Sequence, residues 1–502
     1  MTKNSLYDPR RLKLRAHDPA PRVGLKSENF KQTCPNGFGD GHNSYAHTMA
    51  WFRDHLYVGT TRANLCMVKV FRDDHYRFID QGWPVECPDD IYRLDRRAQI
   101  WRHDPREERW EMVMRSPMVT GVDGTEVARD MGYRGMAIFQ GESESSPSLY
   151  VVTSAPGKAP GPLILRSTDG IEFVPASEHG ILGLPITTVR ALTSFEGRLF
   201  TAPAGARGGK VNAAGIAQVY ESRDPAKGIW RAASLPGFGD SENETVFELQ
   251  VFAGYLYAGT LNNSGFQVWR TDAQGNPPYH WERIIHAGAG RGALNQAVAS
   301  FQVFGDRLYL GTGIQGGGYD YIKGIGPAPA ELILIRPDKS WDLVIGSARS
   351  TTEGYKAPLS GLPAGFGGFF NGYFWRMEVH NNWLYLGTYN SATLLPWISF
   401  ERAPQRVKSF LSQVKIESIF ANEAGFDLWR SADGENWLPV HRQGFGNPYN
   451  YGIRTLVSTP HGLYLGTANP FGPRVAVRED DQWVYRENPR GGLEVWRGED
   501  NP

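Results

Sequence analysis

The chain has 502 residues, with 53 Lys plus Arg set against 53 Asp plus Glu, 41% hydrophobic residues, and 15 Trp, 22 Tyr and 25 Phe. That charge balance leaves no global field to steer it onto nucleic acid or an anionic membrane, and the apolar content argues against disorder over any long span. Glycine, at 58 residues, exceeds the average share of about 7% and fits many tight turns better than long helices, so a soluble, all-β chain is expected.

The first stretch, MTKNSLYDPRRLKLRAHDPAPRVG, is basic but lacks the apolar core of a signal peptide, and nowhere do about 18 apolar residues run together. Neither export nor a membrane span is expected, and residues 1–27 read as an N-terminal extension. The cysteines, Cys34, Cys66 and Cys87, are sparse, odd in number and without a CxxC. A cytoplasmic, reducing setting is the simpler reading; the state of the thiols stays open.

From Gly37 the chain writes a module that it then repeats: GFGDGHNSYAHTMAWFRDHLYVGTTRAN, echoed from Gly444 as GFGNPYNYGIRTLVSTPHGLYLGTANPFG. The full form is a leading loop with Asn, an alternating strand, a tight turn, LYxGT, a loop, an xxWR strand, an Asp-Gly turn and a Trp-bearing strand. The aromatic residue of the second strand anchors the copies: Tyr57, Tyr150, Phe200, Tyr257, Tyr309, Tyr385 and Tyr464. Third strands run from AQIWRHD to LEVWRGED and end beside the acid or glycine of a hairpin turn. Self-similarity at this period predicts a repeat architecture of four-stranded antiparallel units, seven in all.

The last copy ends at its third strand. Its fourth is found at the other end, where ENFKQTCPNGFGD from Glu28 aligns with ENWLPVHRQGFGN from Glu435. A strand lent across the ring removes the last unpaired edges. The sequence thus predicts a single seven-bladed β-propeller over 28–502, closed by an N-terminal strand that completes the last blade. The fourth-strand residues Trp110, Trp230, Trp281, Trp341 and Trp437 are its expected buried anchors.

RSTDGIEF at Arg166 and RSADGENW at Arg430 resemble the Asp-box hairpins of the sialidase-like and BNR-repeat propellers, in which Ser, Asp, Gly and an aromatic residue stabilise a turn between outer strands. The resemblance implies a propeller. It also implies inner-strand arginines that hold a substrate carboxylate beside a Tyr and a Glu, for which Tyr451 and Glu248 would stand.

In such units the leading loop and the loop after LYxGT open on one face, and the length variation sits there: 67–97, 313–330, 346–370 and 390–424. Binding sites collect on variable loops. SFERAPQRVKSFLSQVKIESIF, at 399–420, has helical spacing and suits either a lid or a cover for strand edges.

Asn43, Asn243, Asn295, Asn371 and Asn450 recur at one leading-loop position, with Asp130 in the second copy. Asn there most often caps backbone groups; the substrate-binding alternative takes Asn43, Asn371 and Asn450. Four residues on come His47, Arg134, Arg190, Phe247, Ala299, Trp375 and Arg454, with Glu248 and Arg376 one further. Arginines converging on one funnel repel unless an anion or Glu248 lies among them, or unless each bridges neighbouring units. The candidate set is His47, Glu248 and Tyr451 for catalysis, and Arg134, Arg190, Arg376, Arg454 and Trp375 for substrate binding. Aromatic segments, GFGGFFNGYFW at Gly365, GYDY at Gly318, LPWISF at Leu395 and NPFG at Asn469, are expected to rim it.

Asp40, His42 and His47 lie close together, but without a metal-ligand motif, so no metal and no cofactor is expected. No GxGxxG follows a strand, and no Walker loop or GxSxG occurs. The expected function is acid–base chemistry on a small anionic molecule in the funnel. The alternatives are a non-catalytic propeller that binds a peptide or protein, and a sugar binder.

Overall fold

The computed structural model describes residues 23–70, 79, 82–208, 212–400, 405, 408, 409 and 414–500. Most of the predicted N-terminal extension and parts of the 67–97 and 390–424 insertions lie outside them. Among the described residues the protein is mostly antiparallel β, with 28 strands joined in one hydrogen-bonded network.

Seven long hairpins organise that network: Asn43–Phe52 with His55–Arg62, Gly132–Phe139 with Ser148–Ser154, Ile186–Phe195 with Arg198–Ala206, Asn243–Phe252 with Tyr255–Asn262, Ala297–Phe304 with Arg307–Gly313, Asn371–His380 with Trp383–Asn390, and Gly452–Thr459 with Gly462–Ala468. Each second strand carries the aromatic anchor and pairs with the predicted third strand. Neighbouring units touch through short bridges such as Thr61 to Gly132 and Tyr389 to Gly452. The last unit meets the first, Ala468 against Tyr45. Phe30–Gln32 pairs with Val495–Gly498, so the predicted loan of an N-terminal strand to the last unit is present.

The core lies between successive units, and the recurrent glycine of LYxGT explains how closely they stack. A Cβ on Gly259 would come 2.5 Å from Val298, and one on Gly387 2.5 Å from Ile453, both on the next unit. The leading loops repeat a second device. Phe38, Phe238, Phe366 and Phe445, between two glycines, adopt φ of 55–58° and stack on Trp101, Trp269, Trp429 and Trp496 of the third strand. Ring stacking offsets the cost of left-handed backbone at a bulky residue. Of the fourth-strand tryptophans, Trp230, Trp281, Trp341 and Trp437 are buried; Trp110 is half-buried and donates Nε1–H to the carbonyl of Thr33.

In the turn after Arg166, Asp169 accepts from the amides of Ile171 and Glu172 while Ser167 Oγ accepts from Gly170; Asp433 and Ser431 repeat this pattern. These bonds hold the hairpin turns, and both glycines are packed against the hydroxyl of a LYxGT tyrosine, Tyr57 or Tyr309.

Three features depart from expectation. Cys66 and Cys87 form a disulfide, and Cys34 is free and buried; the sparse spacing had favoured a reducing setting, but the loop brings two thiols that are 21 residues apart into contact. Of the 399–420 stretch, the described helix is Ile416–Glu423, which packs through Ile419 on Ala392 and Leu395 and lines neither cavity described below. A hairpin, Arg474–Glu479 with Gln482–Glu487, stands between the second and third strands of the last unit. Its signal was visible in RVAVREDDQWVYRE, with alternation broken by an Asp-Asp turn.

Candidate functional site

The first strands of all seven hairpins are irregular near one level. Six carry a β-bulge at His47, Arg134, Phe247, Ala299, Trp375 and Arg454, where the ladder skips one residue. A bulge leaves its residue unpaired and re-aims the side chain, which turns these positions toward the centre. In the third unit the skip falls on Ala191, and Arg190 pairs with Ala202. By strand partner Arg190 therefore matches Glu248, opposite Gly259, and Arg376, opposite Gly387, one step from the register assigned to it from sequence.

The six charged candidates meet. His47, Arg134, Arg190, Glu248, Arg376 and Arg454 line one cavity of about 180 Å³, with Met49, Met136 and Leu456 toward the short-turn face. His47, Arg134, Arg190 and Arg454 also line a chamber of about 670 Å³ toward the long loops. The charged layer is a floor between the two.

Its hydrogen bonds divide unequally. Arg376 is spent: it donates to Glu248 Oε1 at 2.7 Å and to the carbonyl of Arg454 at 3.0 Å. Arg190 donates Nε–H to the Phe247 carbonyl at 3.2 Å and lies 3.8 Å over that ring, while Arg454 lies 5.1 Å over Trp375. Arg134 Nη1 reaches Thr188 Oγ1 at 3.4 Å. Arg134 Nε, Arg190 Nη1, Arg454 Nη1 and His47 Nε2 are buried with no partner among the described residues. Arg190, Arg454 and His47 are 6%, 3% and 7% exposed. Buried donors normally find acceptors, so this group is set apart from the rest of the interior.

Burial pulls Arg190 and Arg454 well below the ordinary guanidinium value, assisted by the neighbouring arginines, and brings Arg134 down to about 10. His47 is held well below the usual imidazole range, first by burial and then by the positive charges of Arg454, Arg134, Arg190 and Arg376. It is neutral at pH 7, with Nδ1 against Thr61 Oγ1.

Above the floor the chamber is aromatic: Tyr45, Phe247, Tyr373, Trp375, Tyr389 and Tyr451 line it. Of these, Tyr45 and Tyr389 were missed by sequence reasoning; a Tyr two residues before His47 was the available signal for the first. Tyr451 hydrogen-bonds Tyr45 through the two hydroxyls. Tyr451 faces the chamber and Glu248 the smaller cavity, so the floor lies between the Tyr and the Glu that the sialidase resemblance pairs. Trp397 and Phe471, expected at the rim, stack on each other inside a hydrophobic cluster. Described residues at both ends of the 67–97 insertion line the chamber, Met67 and Val68 before Cys87 and Ile91, Tyr92 and Arg96 after it, beside Leu65 just upstream.

Asn43, Asn371 and Asn450 leave the binding set. They line neither cavity. Each donates to the carbonyl of its loop glycine, Gly37, Gly365 or Gly444, and to a third-strand acceptor, Gln99, Asp427 or Glu494. Each carbonyl oxygen in turn accepts, from Arg62, Asn390 or Asn469. Asp40 is paired with Arg62 at 2.8 Å, away from His47. No group of three or more His, Cys, Asp or Glu placed to hold a metal ion occurs among the described residues, and no described helix is long and apolar enough to cross a membrane.

No family model and no curated protein matches the sequence. Among solved structures, the chain is similar to a β-xylosidase at 12% identity over 63% of this chain and 96% of the other, TM-score 0.30. A putative 6-phosphogluconolactonase from Bacteroides fragilis aligns at 11% identity over 82% and 96%, TM-score 0.34. A puromycin-hydrolyzing peptidase from Mycobacterium tuberculosis aligns at 9% over 94% and 57%, TM-score 0.40. At these scores the likenesses assign no reaction.

Proposed function

We propose that the loop-face chamber binds a small organic anion and that the protein acts on it by acid–base chemistry at His47. The observation that carries this is the set of unpartnered buried nitrogens on Arg134, Arg190, Arg454 and His47, drawn from four strands and facing one space. An anion supplies the acceptors that the arginine nitrogens lack and offsets their repulsion. It also weakens the field that keeps His47 from taking a proton, so occupancy itself raises the basicity of the imidazole. The aromatic walls take the organic body. Glu248 serves as the counter-ion of Arg376, and Tyr451, joined to Tyr45, as a wall and hydrogen-bond partner.

A second reading, binding without turnover, is favoured by one observation: Glu248 is committed to Arg376 beneath the floor and supplies no second acid–base group to the chamber. The two readings part on His47→Gln. Turnover of an anionic substrate found by thermal-shift screening should fall at least about 100-fold with binding kept; unchanged turnover removes His47 from the chemistry, and no turnover of any bound anion by the wild type leaves the binding reading.

The architecture we infer is a single closed seven-bladed propeller over 28–502, supported by the seven hairpins, the Tyr45 to Ala468 bridge and the pairing of Phe30–Gln32. Its likeness to the sialidase-like propellers rests on the two Asp-Gly turns. The Cys66–Cys87 disulfide favours an oxidising compartment over the cytoplasm.

A further inference from the structure

We propose that the chamber's occupant carries a doubly charged head, a phosphomonoester or an equivalent dianion, seated against Arg134, Arg190, Arg454 and His47. This rests on the anion-binding reading and goes beyond it by fixing the charge and shape of the head.

Charge comes first. Four guanidiniums meet one carboxylate in the floor, and that carboxylate, Glu248, is taken by Arg376. Arg134, Arg190 and Arg454 stay uncompensated in an interior where unpaired charge is costly. A monocarboxylate offsets one of the three and leaves two; a dianion leaves one, spread over three planar groups.

Geometry agrees. The unpartnered nitrogens come from four strands, two Nη1, one Nε and one imidazole Nε2. A carboxylate offers two oxygens in one plane, which suits a single guanidinium fork. Donors arriving from several sides match a tetrahedral head with three terminal oxygens. Glu248 lies on the far side of the floor, where its charge repels an anion from the smaller cavity and stops the head at the arginines. Above the head lies a space walled by Tyr45, Trp375 and Tyr389, so a monoester with an apolar or aromatic body fits better than a free inorganic ion.

The test compares matched ligands by calorimetric titration of the full chain at about pH 7.5, above the second phosphate pKa of about 6. Phenyl phosphate is set against benzoate, and inorganic phosphate against acetate. In at least one pair the dianion should bind about tenfold tighter or more, and Arg190→Ala and Arg454→Ala should erase most of that preference. If benzoate binds as tightly as phenyl phosphate and acetate as tightly as phosphate, the dianion proposal is overturned while the anion site stands. If none of the four binds, both fall. The comparison of ligands on the wild-type protein does not depend on any variant folding.

Discussion

Two polar rings, asparagines drawn from five of the hairpin units and a charged set that also draws on the second and third, lie at or near the starts of the first strands, and they are built in opposite ways. In the asparagine ring, Asn43, Asn243, Asn295, Asn371 and Asn450 make the same contacts, a loop carbonyl below and a third-strand acceptor beside, so that every amide is used. In the arginine ring no two members share a partner set, and Arg134, Arg190, Arg454 and His47 keep idle nitrogens. Repetition with full satisfaction marks architecture, because the five units that carry the asparagine face the same packing problem. Irregularity with unmet donors marks a place shaped for something else.

Architecture should fail hardest when the pairing of the N-terminal strand with the last unit is cut. Removing the chain through Asn36 takes away Phe30–Gln32 and exposes the Val495–Gly498 edge, and the truncated protein should show no cooperative thermal transition. An unchanged melting curve would contradict closure by that strand. Next in size, Trp281→Ala, at a buried anchor that donates Nε1–H to the Ala233 carbonyl, should cost about 3–5 kcal/mol by denaturant titration.

The rings themselves give the sharper contrast. Asn371→Ala removes one donor each from the Gly365 carbonyl and the buried Asp427, which keep Gly368 N–H and Arg442, and should lose about 1–3 kcal/mol of stability without a specific loss of ligand affinity. Arg190→Ala and Arg454→Ala should do the reverse: little change in melting, since each removes a like charge, and a loss of about 1.5–3 kcal/mol in anion binding. Destabilisation by the arginine variants with affinity intact would make them struts between units.

The smallest expected effect is on acid stability. His47 titrates near 6.5 when unfolded and well below that when folded, so the unfolded chain binds the extra proton. The His47 contribution to stability is therefore constant above about pH 6.5 and falls as pH drops from there toward the folded value, by at most about 1.4 kcal/mol per pH unit. His47→Gln should flatten that part of the slope and leave the share of His103, whose own pKa is pushed down to about 4. A wild-type slope retained in the variant would show that His47 is accessible to protons in the fold.

The hairpins, their anchors and the borrowed strand could be read from sequence, because each repeats a local pattern whose period is fixed by backbone geometry. The charged floor was half readable. Its members follow the recurrent Asn at constant spacing, but which donors are spent depends on pairs such as Arg376 with Glu248, 128 residues apart. The Asn43, Asn371 and Asn450 amides were ambiguous for the same reason: loop capping and ligand contact use identical residues, and only the third-strand acceptors decide. The Cys66–Cys87 bridge and the 474–487 hairpin sit in insertions, where no repeat constrains the chain.

Crystals soaked in selenate, a tetrahedral dianion with an anomalous signal, test the arginine ring most directly. An anion site predicts an anomalous peak within hydrogen-bond reach of Arg134, Arg190 and Arg454, absent from crystals of Arg454→Ala. A chamber without that peak, with the three guanidiniums turned onto backbone carbonyls, would contradict it.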